Sequence, residues 1–263
     1  MSTTEKFAAI FDGLRLAYGT FKIDKKQLNG KSTGRAAIIR EPRSTELWEG
    51  HLSGKGRAVG IIPINEENKC VWGCIDVDQY PLDHKVLVKK IRKLKLPLVI
   101  CRSKSGGAHC FLFSTEWIDA EDMQKTLQQI SAALGYGGSE VFPKQIKLNL
   151  DRDDVGNFLN LPYFDAESGL RYAIKDDGTG ATLDEFIELY EKYKQTPEQL
   201  SKLRIGENIK EDILVDGPPC LQILARKKIS EGGRNNGLFN LGVYLRKAYP
   251  DTWETEIQIY NTN

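Results

Sequence analysis

The sequence lacks any long apolar run, and its first residues do not show the pattern of an export leader. No segment approaches the roughly 18 consecutive apolar residues that a membrane-spanning helix needs. The amino-terminal residues do not pair a basic segment with an apolar one. These absences exclude the membrane-embedded class of protein and predict a cytoplasmic protein without a membrane partner.

The sequence also lacks closely paired cysteines and an excess of one charge sign. The five cysteines form no CxxC pair and lie mostly in apolar segments, so we expect buried free thiols. Cys70 and Cys74 have no second pair or histidine cluster beside them, which argues against a zinc site. The 37 basic and 36 acidic residues give a net charge of only +1. A polyanionic partner would therefore have to bind a local basic patch.

The spacing of apolar residues predicts helices and strands in irregular alternation, and so an α+β fold. Helices are predicted over residues 5–21, 44–52, 83–95, 119–135 and 183–204, with Asp119 as a cap of the fourth and a break near Pro197 in the last. Strands are predicted over residues 34–41, 57–64, 69–78, 97–103, 108–114, 139–144 and 156–164. Residues 145–155 are predicted as a loop, and residues 171–180 as a strand and turn.

Two aspartates, Asp76 and Asp78, interrupt the apolar run VWGCIDVDQY at residues 71–80. Side chains on a strand repeat every two residues, so both carboxylates emerge on one face while Ile75 and Val77 enter the other. Two like charges side by side cost free energy unless they share a cation or solvent reaches both. The candidate cation is magnesium or manganese.

A basic segment follows the aspartates with the spacing of an amphipathic helix. Leu87, Ile91 and Leu94 form its predicted buried stripe. Residues 85–95 also hold six basic residues and no acidic one: Lys85, Lys89, Lys90, Arg92, Lys93 and Lys95. A solvated helix face and a contact with a nucleic-acid backbone explain this pattern equally well. Under the second interpretation the DNA contacts are Lys85, Lys89, Arg92 and Lys93.

The segment CRSKSGGAHCFLF joins a polar glycine turn to a strand that carries one histidine. Glycines with flanking hydroxyls and a lysine let a backbone approach a phosphate closely and offer it N–H, O–H and ammonium donors. A plain hairpin turn would need the glycines alone. The candidate phosphate ligands are Ser103, Lys104, Ser105, Gly106 and Gly107. His109 has the position of a hydrogen-bonded core histidine, but the turn directly before it favours a ligand.

Two later blocks, EVFPKQ and GNFLNLPYF, complete an ordered series. They contribute the polar side chains Glu140, Lys144, Gln145, Asn157 and Asn160. With the strand that ends in DxD and the SxSGGxH segment, they make residues 35–165 resemble the archaeo-eukaryotic primase superfamily, most closely the primase-polymerases of phages and mobile elements. The resemblance implies a core of two modules, the second related to an RNA-recognition fold, with the active site in the cleft between them.

The resemblance also implies a catalytic centre that uses two divalent metal ions, Mg²⁺ or Mn²⁺. Asp76 and Asp78 would bridge the two ions, and Glu140 would complete one coordination shell. Alternative sources of the third carboxylate are Asp151, Asp153 and Asp154. His109 would donate to a phosphate of the incoming NTP or dNTP. The other implied nucleotide ligands are Ser103, Lys104, Ser105, Gly106, Gly107, Lys144, Gln145 and Asn157.

The chain is predicted to comprise a catalytic core over residues 1–180, a helical linker over residues 181–215 and a helical domain over residues 216–263. The tail resembles the primase carboxy-terminal domain that often follows such cores, and its apolar stripe consists of Leu238, Leu241 and Leu245. Since the helical pattern still runs at the last residues, we expect the chain to be a piece of a longer protein. A helicase would follow in the same chain or act as a separate partner.

The predicted function is primer synthesis on a single-stranded DNA template, by a DNA primase and polymerase of phage or mobile-element replication. Such a protein would act in the cytoplasm of the host cell. One alternative is a catalytically silent replication initiator on the same core, with Arg226, Lys227, Lys228 and Arg234 as candidate DNA contacts. The other is a DxD glycosyltransferase, which leaves the SKSGGAH and FPKQ segments unexplained.

Overall fold

The computed structural model describes residues 1–26, 32–152, 154–203, 205, 217–226, 234–250 and 252–261. Within these residues the helices are α1 (Thr3–Ile10), α2 (Thr45–Leu52), α3 (His84–Lys93), α4 (Ala120–Ala133), α5 (Leu183–Tyr193), α6 (Pro197–Ser201), α7 (Pro219–Arg226), α8 (Arg234–Ala248) and α9 (Trp253–Asn261). The strands are β1 (Tyr18–Lys26), β2 (Ser32–Ile39), β3 (Ala58–Ile61), β4 (Lys69–Val77), β5 (Leu98–Arg102), β6 (Ala108–Asp119), β7 (Glu140–Phe142), β8 (Leu159–Asn160) and β9 (Ala173–Ile174). A short 3₁₀ helix spans Leu150–Arg152.

The strands form two sheets. The four-stranded sheet has the order β2-β1-β3-β8, and the five-stranded sheet has the order β7-β4-β6-β5-β9. Every pairing between neighbours in both sheets is antiparallel. The predicted α+β class is therefore confirmed. Because β8 follows β7 in the chain, the chain returns from the second sheet to the edge of the first.

Local capping chemistry sets the helix boundaries. Thr182 and Thr196 each form a capping box, at the starts of α5 and α6. Pro197 divides the helix predicted over residues 183–204, because Thr196 caps a new helix whose first turn accepts a proline. Asp119 precedes α4 as predicted, but its side chain makes no capping hydrogen bond.

The first helix is shorter than its apolar spacing indicates. Helix was predicted over residues 5–21, yet α1 ends at Ile10 and the chain turns toward β1. The Leu14 N–H donates to the carbonyl oxygen of Ile62 at 2.9 Å. A Cβ atom on Gly13 would lie 2.2 Å from that oxygen. The segment after α1 is thus held against the loop after β3, and this close approach requires a glycine at position 13.

The five-stranded sheet buries both of its faces, and the two faces differ in chemistry. One face packs mainly aliphatic side chains, such as Ile75, against α3 and α4 residues such as Leu127. The other face packs aromatic rings against α1 and α5. Phe11 of α1 lies 5.3 Å from Phe111 of β6 and 5.8 Å from Phe186 of α5, between ring centroids. The candidate site extends this aromatic face at one end of the sheet.

The carboxy-terminal helices α8 and α9 pack on each other and on α4. Leu241 and Leu245 are fully buried, and Leu238 packs against them. The apolar stripe predicted in the tail is therefore confirmed.

Residues 206–216 and 227–233 lie outside the described part of the chain. The division into core, linker and carboxy-terminal domain stays a prediction, and the predicted DNA contacts at Lys227 and Lys228 fall in the second gap. The cysteines are free thiols, as predicted, and all but Cys220 are buried: Cys70, Cys74, Cys101 and Cys110. Across the described helices, none is long and apolar enough to cross a membrane.

Candidate active site

The register of the five-stranded sheet aligns polar residues that the sequence singled out. Asp76 on β4 pairs with Glu140 on β7 on one side and with His109 on β6 on the other. His109 in turn pairs with Cys101 on β5, which pairs with Ala173 on β9. Directly opposed side chains share a face, with Cβ atoms about 5 Å apart. These five residues therefore form a row across the whole sheet, which we call the first row.

A second row lies two residues further along the same strands. Side-chain alternation places Asp78, Ser103 and Arg171 on the face that carries the first row. The pairing extends this far beside β9, since the Arg102 N–H donates to the carbonyl oxygen of Tyr172 at 2.8 Å. The second row therefore brings a cationic side chain next to the predicted phosphate ligands.

The turn over residues 103–107 is held by its own backbone. The Ser103 N–H donates to the Gly107 carbonyl at 2.9 Å, and the Gly106 N–H donates to the Ser103 carbonyl at 3.1 Å. Gly106 has a φ of +97°, which favours glycine. A Cβ atom on Gly107 would lie 2.3 Å from the carbonyl oxygen of Val77. The conformation of the turn thus requires glycine at both positions. The Gly106 N–H, which was expected to bind phosphate, donates to a carbonyl within the turn.

Lys104 in this turn reaches the four-stranded sheet. Its ammonium lies 3.6 Å from the ring centroid of Phe21 on β1, which is a cation–π contact. Burial lowers the pKa of Lys104, and the charge of Arg171 adds to this effect. The turn therefore joins the two sheets beside the second row.

The three carboxylates predicted to bind metal are partly engaged by other groups. Asp78 accepts a hydrogen bond from the Tyr80 hydroxyl at 2.7 Å, and Glu140 pairs with the Lys144 ammonium at 2.7 Å. Burial raises the pKa of Asp76 to about 7, and the negative charges of Asp78 and Glu140 act in the same direction. In the described ranges, no three His, Cys, Asp or Glu side chains are grouped closely enough to hold a metal ion.

His109 is buried as a neutral imidazole. Burial and the charge of Arg171 lower its pKa to about 4. Its Nε2 lies 3.5 Å from Asp76 Oδ1, which is too long for a strong hydrogen bond. By contrast, the core histidine His51 uses both ring nitrogens, at 2.8 and 2.9 Å from backbone groups. Nε2 of His109 thus lacks a strong hydrogen bond to Asp76, and the role of His109 as a ligand stays a prediction.

Three buried polar atoms in the two rows have no hydrogen-bond partner: Asp76 Oδ1, Ser103 Oγ and Arg171 Nη1. The described residues contain only five such side-chain atoms, so more than half of them lie in this one place. Leaving such an atom unpaired costs about 1–3 kcal/mol. A carboxylate, a hydroxyl and a guanidinium together fit a ligand that carries both a cation and an anion.

Arg171 is the site residue that the sequence did not indicate. It is only 8 % exposed, and burial lowers its pKa. Its guanidinium carbon lies 5.6 Å from the ring centroid of Phe164. The segment around it shows only the pattern of a strand and turn. No local signal could have identified Arg171, because the pairing of β9 with β5 is what brings it to Ser103.

Two polar residues of the later blocks, Gln145 and Asn157, are engaged with each other. The Asn157 N–H donates to Gln145 Oε1 at 3.0 Å, and the Gln145 amide donates back to Asn157 Oδ1. The Asn157 side chain is therefore already occupied by a protein partner.

Ser105, in the turn over residues 103–107, lies beside Tyr80, within reach of its hydroxyl.

The alternative third carboxylates do not share the sheet with Asp76. Asp151 and Asp154 are exposed in the segment that follows β7, and Asp153 lies outside the described residues. Glu140 is the carboxylate that the register places directly beside Asp76.

The basic helix α3 divides its charges between two roles. Its exposed lysines include three predicted DNA contacts: Lys85, Lys89 and Lys93. Arg92 instead donates to Asp176 at 2.6 Å and lies 3.7 Å above the Tyr193 ring centroid. Arg92 therefore fastens α3 to α5 and to the segment after β9, while the lysines face solvent.

Comparison with known families assigns the chain to one of them. The model of the family described as "TOTE conflict system, Archaeo-Eukaryotic Primase domain" matches residues 20–202. The chain therefore belongs to this family of archaeo-eukaryotic primase domains. The resemblance that the sequence motifs indicated is confirmed, and the match extends beyond those motifs at both ends.

Two solved structures show a distant likeness, and no curated protein matches. The catalytic domain of primase RepB′, in complex with initiator DNA, is 10% identical, covers 73% of this chain and 97% of its own, and has a TM-score of 0.35. The structure of primase RepB′ is 11% identical, covers 98% of this chain and 93% of its own, and has the same TM-score of 0.35. Similarity this low says nothing about individual residues, so the roles below rest on the geometry of this chain.

The charges around Asp76 can be tested by titration. Asp78→Asn should lower the Asp76 pKa from its value of about 7, because it removes a neighbouring negative charge. Lys144→Met should raise the pKa further, because it removes a positive one. The measurement is a pH titration of the Asp76 carboxyl carbon by NMR in metal-free protein, with Glu121→Gln on α4 as the control. Shifts in the same direction for both variants would contradict the assignment.

Proposed function

We propose that this chain is a nucleotidyltransferase, a DNA primase and polymerase that joins nucleoside triphosphates on a single-stranded DNA template. The observation that carries the proposal is the set of three unpartnered atoms on Asp76, Ser103 and Arg171. A triphosphate with its divalent cation would satisfy all three, since a carboxylate binds the cation and the two donors bind phosphate oxygens. Membership of a primase-domain family supports the same reaction class.

The candidate metal ligands fit Mg²⁺ or Mn²⁺ by their chemistry. Asp76, Asp78 and Glu140 all offer carboxylate oxygens, which such hard cations prefer. Asp76 Oδ1 has no hydrogen-bond partner, so a cation would displace no hydrogen bond there. Asp78 and Glu140 use one oxygen each for Tyr80 and Lys144, and a carboxylate has two. When bound, the ions neutralise phosphate charge and lower the pKa of the attacking hydroxyl.

The polyphosphate would lie along the second row. Ser103 donates its hydroxyl and Arg171 its guanidinium, while Lys104 exchanges the Phe21 ring for a phosphate oxygen. His109 donates an N–H as a neutral ring, because its pKa is lowered to about 4. These residues hold the triphosphate and orient it toward the carboxylates.

The template strand would bind the exposed lysines of α3. The helix starts at the site, since His84 Nε2 lies 2.9 Å from the carbonyl oxygen of Gly107 in the phosphate-binding turn. A DNA strand bound along α3 would therefore lead away from the reacting groups. A role in phage or mobile-element replication, and a fused or separate helicase, belong to the same proposal.

A second candidate function is that of a catalytically silent replication initiator on the same fold. The observation that favours it is the spacing of the acidic side chains. Within the described part of the chain, no three His, Cys, Asp or Glu side chains are grouped closely enough to hold a metal ion. Metal-dependent product formation separates the two candidates.

Loss of the aspartate pair tests the catalytic proposal. Asp76→Ala combined with Asp78→Ala should reduce primer synthesis and extension to background, while the melting temperature is kept because a repulsion is removed. The measurement uses labelled NTPs or dNTPs on single-stranded DNA with Mg²⁺ or Mn²⁺. Glu121→Ala with Asp122→Ala, an acidic pair on α4, is the matched control. Full activity in the site variant would refute the proposal, and an inactive wild type would favour the silent initiator.

Arg171→Met tests the newly assigned cation. The variant should raise the nucleotide KM by about 10- to 100-fold, since a hydrogen bond to a charged group contributes about 1.5–3 kcal/mol. Its melting temperature should not fall, because the ligand-free guanidinium is buried without a full set of partners. Arg92→Met is the contrasting control: it should lower the melting temperature through loss of the Asp176 interaction and leave the nucleotide KM unchanged. An unchanged KM in Arg171→Met would exclude Arg171 from the phosphate site.

The lysines of α3 are tested by charge reversal. Lys89→Glu with Lys93→Glu should weaken binding to single-stranded DNA. The slope of the logarithm of the binding constant against the logarithm of the salt concentration should also become shallower, by roughly 0.7 for each phosphate that the variant no longer neutralises. Fluorescence anisotropy at several salt concentrations measures both quantities. Lys125→Glu with Lys202→Glu changes the net charge equally at exposed positions elsewhere. If both pairs of substitutions act alike, α3 is only a solvated face.

A further inference from the structure

The four-stranded sheet presents an unusual surface close to the phosphate-binding turn. Gly19 on β1 pairs with Gly60 on β3, and Gly60 pairs with Asn160 on β8. The Phe158 ring lies directly on the two glycines, since a Cβ atom would come within 2.1 Å of it at position 19 and within 2.3 Å at position 60. Only glycine at both positions leaves room for the ring. We call Gly19, Gly60, Phe158 and Asn160 the glycine wall.

The glycine wall faces away from the aromatic core. Its neighbours along the strands, Tyr18, Ile61 and Leu159, are buried in that core, so alternation sends the wall residues to the opposite face. Phe21, two residues beyond Gly19, lies on the same face as the wall. The Lys104 ammonium, 3.6 Å from the Phe21 ring centroid, therefore adjoins the surface that carries the wall.

The wall lies within the length of one nucleotide from this ammonium. Phe21 is two residues from the glycine pair along β1, about 7 Å, and β8 lies two strands from β1, about 10 Å. A nucleotide whose phosphates bind at Ser103, Lys104 and Arg171 therefore has its sugar within reach of the wall.

Asn160 offers this sugar an unused acceptor. Its Oδ1 is buried and has no hydrogen-bond partner. The Asn157 side chain, by contrast, is held by Gln145. A buried acceptor requires a donor, which phosphate and carboxylate oxygens cannot supply at neutral pH. A sugar hydroxyl can supply it. The Phe158 ring is only partly buried against the aliphatic core, and its remaining part would offer an apolar surface to the sugar carbons.

We propose that Asn160 recognises the sugar of the incoming nucleotide by accepting a hydrogen bond from one of its hydroxyls, while the Phe158 ring packs against the sugar. This inference rests on the proposed nucleotidyltransferase function. It assigns Asn160, rather than Asn157, as a specificity-determining residue.

The test compares binding of a ribonucleoside triphosphate with its 2′-deoxy and 3′-deoxy analogues to the whole chain, with Mn²⁺ and without template. The wild type should bind one analogue about 3- to 10-fold more weakly, as expected for one neutral hydrogen bond. The weaker analogue identifies the hydroxyl. Asn160→Leu, similar in size but without the acceptor, should bring the ratio of affinities to one. Asn160→Asp should keep the ratio, because a carboxylate still accepts a hydrogen bond. Its negative charge should weaken the binding of every nucleotide.

Asn149→Leu, at an exposed asparagine outside the wall, is the control and should keep the wild-type ratio. If circular dichroism shows that Asn160→Leu does not fold, Asn160→Ala is used in its place. Equal ratios in the wild type and in the variant that lacks the acceptor would overturn the inference. If the wild type discriminates as expected but makes no product on a template, the catalytic proposal fails while the sugar assignment stands.

Discussion

The site depends on one constraint, the antiparallel register of β4 with its two neighbours. This register fixes Asp76 opposite both His109 and Glu140. A slip of one residue would turn these side chains to the aliphatic face. The aromatic rings behind the rows, Phe11 and Phe111 among them, make such a slip costly, because it would bury charge and displace the rings. The apolar core thus holds the polar rows in position.

The ligand-free molecule keeps unfavourable electrostatic contacts in this place. Burial and like charges hold the pKa of Asp76 near 7, and Arg171 is buried without a full set of partners. Folds tolerate such costs chiefly at sites where a ligand relieves them. Lys144 and Tyr80 offset part of the negative charge through their contacts with Glu140 and Asp78. The charge of the site is therefore partly balanced by the protein itself.

The sequence was sufficient for the features that a local pattern encodes. Alternation alone places Asp76 and Asp78 on one face, and apolar spacing predicts α3 and α4 closely. Arg171 could not be identified in this way, because it reaches the second row through β9, a strand whose partner β5 lies far away in the chain. The helix predicted over residues 5–21 was too long for the same reason, since the approach of a glycine to the loop after β3 is a tertiary contact.

The contact between Lys104 and Phe21 has a consequence for how the two sheets move. One ammonium cannot rest on an aromatic ring and neutralise an anion at the same time. A partly exposed cation–π contact contributes about 0.5–1 kcal/mol, whereas a hydrogen bond to a charged group contributes about 1.5–3 kcal/mol. An anion beside the turn would therefore draw the lysine off the ring. The direct contact between the two sheets at this point would then be replaced by one that runs through the bound ligand.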